Sequence, residues 1–408
     1  MRGAVAVLAA LLALRPTLLA ADARQDAPAG AAPAGAAPID GDPVAAARGA
    51  RLAADRLALE RELAAIRAFG QQETFRSALQ RIRDDANGRR WWPVGEPTDG
   101  AISLVTVEQW LDWSAARPER AVPWALEIAA ETHPGVAIVD LARQLNAHGI
   151  EFVYVSFPTR IELHPELIAP AIAAAMEPAA AAGDGAAAAP FRGMGEANAR
   201  FLLELVGAGV EVVNLAPDFV QQRDLGDAEE HARRRLLYHR WNMHWTPRAI
   251  ELAAERIGER LAAQPWYRPG PYKEGKAFTL RRKAFDFTAE GNGQAPDSLP
   301  EPIALNAVHM SGAPLKKETK QASPIVLLGD SFANMHKDYG AAIHDHLFRV
   351  TGWPIDVIAP PGGAELQCRE TLRRRGDGLA GKKVVIWLMQ DAALLASPQF
   401  RPVALFEK

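Results

Sequence analysis

Apolar residues recur between arginines and glutamates at Leu52, Leu57, Leu59, Leu63, Ile66, Phe69, Phe75, Leu79 and Ile82. Their spacing of about three to four predicts one or two amphipathic helices over residues 44–90. Such a stripe packs on its own domain or docks a partner. Downstream the period changes. Short runs rich in Val, Ile and Leu at 151–156, 210–214, 325–328, 355–358 and 383–388 predict strands, and helical patterns at 136–147, 196–206, 247–262, 339–350 and 364–374 lie between them. That alternation predicts an α/β domain over residues 91–408 with a mostly parallel sheet. In such sheets ligands bind outside the carboxyl ends of the strands, so the residues just after each strand are where chemistry belongs.

Three stretches break the pattern. Met1-Arg2 precedes an Ala, Val and Leu run, and small residues follow at Ala20-Ala21-Asp22-Ala23, which reads as a signal peptide over 1–23 and implies a periplasmic or secreted protein. The run is too short to span a bilayer. Residues 24–43 are mostly Ala, Pro, Gly and Asp and read as a disordered linker, because they offer too little apolar surface to offset chain entropy. Residues 178–190, again Ala and Gly, read as a surface insertion.

Composition narrows the function. The 408 residues are 49% apolar, and 46 Lys+Arg nearly balance 49 Asp+Glu for a net charge of −3. No global electrostatic pull towards nucleic acid exists. Cys368, the single cysteine, excludes an internal disulfide framework and a cysteine-based zinc site, and reads as a buried thiol.

The strand at 325–328 runs into Gly329-Asp330-Ser331-Phe332, and a helix is expected to follow. A glycine there permits a tight turn and sets Ser331 at the sheet's carboxyl edge, as a nucleophile needs. Asp-Ser after a strand is equally a helix cap. A serine nucleophile requires a base, and His244 in Asn242-Met243-His244-Trp245-Thr246-Pro247 stands on a loop before a capped helix. His336, His344 and His346 follow Ser331, but the spacing of the last two does not suit a metal site. Arg373-Arg374-Arg375 and Lys316-Lys317 read as solvated faces, or as contacts for a polyanionic glycan, and Trp91, Trp92, Trp110 and Trp113 as packing or as the lining of a sugar groove.

Together these residues resemble the SGNH/GDSL hydrolase superfamily, specifically the alginate O-acetyltransferase (AlgX/AlgJ-like) family. The strand-GDSF turn, the earlier His-Trp-Thr-Pro segment, and Phe157-Pro158-Thr159-Arg160 followed by His164-Pro165-Glu166 carry the resemblance. It implies a three-layer domain with a five-stranded, circularly permuted sheet in which 325–328 is the first strand, 355–358 the second, 383–388 the third, 151–156 the fourth and 210–214 the fifth. It further implies Ser331 as nucleophile, His244 as base and Asn242 as orienter. Ser331 N–H, Gly363 N–H and the Gln390 amide are the implied oxyanion donors. No cofactor or metal is expected. The implied activity is acetyl transfer to an exported or cell-surface polysaccharide, with a membrane-bound acyl-donor protein as possible partner. An esterase using the same residues, or a silent scaffold or glycan-binding subunit, are the competing expectations. Asn242 stands where the family carries aspartate: it can still accept a hydrogen bond from the imidazole, but it supplies no charge and can favour the wrong tautomer, and an acid from elsewhere, such as Asp218, could compensate.

Overall fold

A computed structural model describes residues 43–87, 89, 91–93, 101–103, 106–108, 110–111, 133–169, 171–172, 174–176, 193–224, 237–273, 278–287, 301–311, 317–376, 379–395 and 400–406. The expected signal peptide, nearly all of the linker, the 178–190 insertion, Trp113 and Lys316 lie outside the described residues.

In chain order the elements are α1 (Pro43–Phe69), α2 (Gln72–Asp85), β1 (Trp91–Pro93), β2 (Ala101–Ser103), α3 (Pro134–Ala147), β3 (Glu151–Phe157), α4 (Arg160–Leu163), α5 (Glu196–Gly207), β4 (Glu211–Asn214), α6 (Ala216–Asp224), α7 (Pro247–Ala262), β5 (Phe278–Phe287), β6 (Glu301–Met310), α8 (Lys317–Gln321), β7 (Ile325–Leu328), α9 (Ser331–Asn334), α10 (Ile343–Thr351), β8 (Asp356–Ile358), α11 (Gln367–Arg373) and β9 (Val384–Gln390).

The central sheet has the order β4-β3-β9-β7-β8, and every pairing in it is parallel. Counted from β7 as the first strand, this is the doubly wound order 2-1-3-4-5, the circular permutation expected from the sequence. Strand residues alternate between two apolar layers. Along β9, Val385, Trp387 and Met389 pack with α3, α5 and α11, while Val384, Ile386 and Leu388 pack with α7 and α10. A sheet covered on both faces needs apolar residues at every position, which is why these strands read as unbroken runs.

The N-terminal stripe folds as α1 and α2. Leu59 joins the layer of α3 and α5, and Leu63 and Ile66 pack on Ala199. Arg51 forks onto Glu211 at 2.8 and 3.0 Å, so the helix also screens the edge strand β4. Among the described residues no helix is long and apolar enough to cross a membrane.

Two features depart from the sequence reading. The helix expected over 339–350 begins only at Ile343, because Gly340 adopts φ +71° and gives its carbonyl to Val308 N–H at 2.8 Å. The antiparallel ribbon β5–β6 was not anticipated. Its outer strand carries Arg281, Arg282 and Lys283 and is mostly exposed, which hides the strand pattern; the inner strand does alternate, with Ile303, Leu305 and Ala307 buried and Pro302 and Ala304 exposed.

Candidate active site

Strand β7 delivers Ser331 through a turn that crowds any residue larger than glycine. A Cβ on Gly329 would lie 3.0 Å from the Ala333 Cβ. Asp330 then caps the single turn α9 by accepting Phe332 N–H at 2.9 Å. The helix expected after Ser331 is a single turn. The cap takes Phe332 N–H and not that of Ser331, so capping and the placement of Ser331 at the sheet's rim coexist in one tripeptide.

His244 arrives on a narrow loop over residues 237–246. Tyr238 and Trp245 form an antiparallel bridge, His239 N–H donates to the His244 carbonyl at 3.0 Å, and Thr246 N–H donates to the Leu237 carbonyl at 3.0 Å. Pro247 opens α7 beyond it. The Phe-Pro-Thr-Arg segment buttresses this loop: Arg160 Nη1 donates to the Arg240 carbonyl at 2.6 Å, and the Tyr238 hydroxyl donates to the Pro158 carbonyl. An aromatic wedge closes the gap to the serine. Trp245 Nε1 donates to the Phe332 carbonyl at 3.0 Å, and the Phe332 ring lies 4.5 Å from the His244 ring.

These constraints bring Ser331 Oγ to 2.8 Å from His244 Nε2, although 87 residues separate them. His244 Nδ1 lies 2.6 Å from Asn242 Oδ1, which also accepts the backbone N–H of His244 at 2.9 Å. A backbone N–H can only donate, so it fixes the oxygen of the amide towards the ring; Nδ1 then carries the proton and Nε2 is the open base. The expectation that asparagine would select the wrong tautomer is thus corrected. Burial, with a smaller contribution from charge on His239, pushes the His244 pKa down from 6.5 to about 4. The ring is neutral at pH 7, as a base must be.

Asp218 is not the substitute acid. It pairs with Arg256 of α7 at 2.9 Å, because α6 turns its carboxylate towards that helix. Gly363 lies in a tight turn after β8, where a Cβ would come within 2.9 Å of Pro360 and Gln367. Its N–H donates to the Pro360 carbonyl at 3.0 Å, so that amide closes the turn instead of standing open as an oxyanion donor. Gln390 is the buried last residue of β9, not a residue beyond it, and its side chain hydrogen-bonds the Tyr238 hydroxyl. Since that hydroxyl donates to Pro158, it accepts from Gln390, whose amide has a second N–H to offer. Gln390, Asn242 and Met243 line one cleft with Trp91, Ile102 and Arg160. Trp110 is core, edge-on to Phe75 at 4.8 Å. Of the basic cluster, Arg375 pairs with Asp356 and Arg374 with Glu370. Cys368 is buried against the Ala364 carbonyl, and burial pushes its thiol up to about 12.

A second array beside the site escaped the sequence reading. His239 Nδ1 lies 3.2 Å from Glu301 of β6, and its Nε2 lies 3.3 Å from His336 Nε2. All three side chains are buried. The signal available was the histidine within the base segment itself; its partners arrive from an unanticipated ribbon and from the loop after Ser331. Among the described residues no three His, Cys, Asp or Glu side chains gather as a metal cage.

Residues 127–390 match the family described as SGNH hydrolase-like domain, acetyltransferase AlgX. Solved structures of similar fold include the O-acetyltransferase domain of Pseudomonas putida AlgJ, at 18% identity over 64% of this chain and 82% of that one, with a TM-score of 0.45. Pseudomonas aeruginosa AlgX matches at 20% identity over 64% of this chain and 57% of that one, with a TM-score of 0.43. Bacillus cereus PatB1 matches at 14% identity over 65% and 90%, with a TM-score of 0.41. A search of curated proteins returns no match.

Proposed function

The chain belongs to the family of SGNH hydrolase-like domains of the acetyltransferase AlgX, and from that premise we propose that it is an exported O-acyltransferase that moves an acetyl group onto a polysaccharide hydroxyl through Ser331. The observation that carries this reading is the 2.8 Å contact between Ser331 Oγ and His244 Nε2 at the carboxyl rim of the parallel sheet, beside the point where the strand order reverses. In the first half-reaction Ser331 Oγ attacks the carbonyl carbon of an acetyl donor while its proton passes to His244 Nε2. The donor's leaving group departs with that proton, and acetyl-Ser331 remains. In the second, an acceptor hydroxyl gives its proton to His244 and attacks the acetyl carbon, and Ser331 Oγ leaves and recovers the proton. Ser331 N–H and the second N–H of Gln390 are the donors for the oxyanion, with Gly363 shaping the adjoining loop.

Leader-like residues 1–23 support export, and a polysaccharide acceptor with a membrane-bound donor protein is the pairing proposed. The test is incubation with an activated acetyl ester, with and without an acceptor oligosaccharide. Transient acetyl-Ser331, acceptor-dependent product and loss of both in Ser331→Ala are expected. Acetate release indifferent to acceptor would establish an esterase instead. Asn242 favours one further reading, a silent scaffold, which wins if Ser331→Ala leaves activity and cellular phenotype unchanged.

A further inference from the structure

Three segments distant in sequence meet at His239. The loop that carries the base contributes His239 itself, whose backbone N–H donates to the His244 carbonyl at 3.0 Å. The ribbon contributes Glu301, which lies 3.2 Å from His239 Nδ1 and also accepts the Arg240 backbone N–H at 3.0 Å. The loop that follows the nucleophile contributes His336, with Nε2 at 3.3 Å from His239 Nε2. Phe287 of β5 stacks on the His239 ring at 4.2 Å and closes the array from the ribbon side.

His336 holds a left-handed backbone, φ +62°, which costs a β-carbon-bearing residue energy and persists only where the surroundings fix it. It stands five positions after Ser331, so its bond to His239 ties the loop after Ser331 to the loop of His244 without passing through the reacting atoms. Resting on the acyl-transfer reading above, we propose that His239, clamped by Glu301 and His336, is a positioning residue that holds His244 against Ser331.

The charged and titratable groups facing His239 are Glu301 from β6, Arg240 and His244 from its own loop, and His336 from the loop after α9. An ionised Glu301, kept below the usual carboxylate range by His239 despite its burial, favours a proton on His239 Nδ1. Burial, and to a smaller extent the neighbouring His239, opposes a proton on both His244 and His336. The clamp therefore acts on geometry and on the base's charge state together.

The experiment measures Ser331 acetylation by an activated acetyl ester, as rate against concentration and pH, in the unaltered full chain and in the His239→Ala, His239→Gln and His336→Asn variants, each checked by thermal unfolding. His239→Ala should lower kcat about ten- to a hundredfold, as misplacement of a reacting pair does, with KM within about twofold. His239→Gln keeps hydrogen-bonding groups at both ends and should recover much of that rate, while the acid limb of its pH profile moves up. His336→Asn should lower kcat by less and leave the acid limb nearly in place. Unchanged kcat and an unmoved acid limb in folded His239→Ala and His239→Gln overturn the proposal. So does a loss in all three variants that only tracks their melting temperatures. If the unaltered chain is not acetylated at Ser331, it is the acyl-transfer reading that fails, and that outcome is read before any variant.

Discussion

Asn242 Oδ1 receives two N–H groups from a single residue, His244: the backbone amide at 2.9 Å and ring Nδ1 at 2.6 Å. The amide thus reproduces the orientation an aspartate would impose while withholding its charge. Geometry and electrostatics, supplied together by a carboxylate, are separated here. In the proposed transfer the imidazolium would lack its counter-charge, and the fall from 6.5 to about 4 sets roughly 3 kcal/mol against protonating His244.

Asn242→Asp should therefore raise kcat for Ser331 acetylation by at least about tenfold, a fraction of the ~10⁴-fold spanned by the reverse change in a serine-protease triad. Stopped-flow acylation measures it. An unchanged or lower rate in a folded variant would show that orientation, not charge, limits the site.

The acid limb of kcat/KM should titrate near pH 4, the His244 value, and not near 6.5. Asn242→Asp should move it upward, since an adjacent carboxylate favours the charged ring. The same histidine makes stability depend on pH. Its folded pKa lies below the unfolded one, so the unfolded chain binds more protons between pH 6.5 and 4, and stability contributed by the neutral ring is lost as pH falls through that window. His244→Gln should weaken this acid-side loss in denaturant titrations.

Glu62 gives the opposite slope. Burial, countered in part by its hydrogen bond from Asn214, raises its pKa from 4.5 to about 8. The unfolded chain releases this proton first as pH rises, so stability should decline between pH 4.5 and 8 and level off above, by up to about 5 kcal/mol. Glu62→Gln should flatten that decline and raise the melting temperature at pH 8 to 9. A melting curve that still falls equally would remove Glu62 from the account.

Gly363→Ala should destabilise by about 1–3 kcal/mol, since its Cβ would stand 2.9 Å from both Pro360 and Gln367. Because the Gly363 N–H closes a turn, we expect kcat to fall only as far as the loop shifts, well short of the ~10²-fold loss that follows removal of an oxyanion donor. Acylation rates for Gly363→Ala and Gln390→Ala compared side by side check this, with the larger loss expected for Gln390→Ala.

Read alone, the residues specify the layered fold, and with the family resemblance they single out Ser331 and His244, which the structure brings to 2.8 Å. Strands buried on both faces are mostly apolar, so β3, β4, β7, β8 and β9 announce themselves as short runs rich in Val, Ile and Leu, and the turn after β7 favours glycine because a Cβ there would crowd Ala333 at 3.0 Å. Ser331 and His244 are legible because their local chemistry, a capped turn after a strand and a loop before a capped helix, is written within a few residues. What depends on contacts between distant segments was decided only by tertiary structure. An asparagine's amide face is set by the backbone N–H it meets, a glycine's N–H by the turn it closes, and the Glu301–His239–His336 clamp by a ribbon whose outer strand is too polar to read. Periodicity encodes which face of an element is buried; it holds no record of which polar atoms, scores of residues apart, come to share a hydrogen bond.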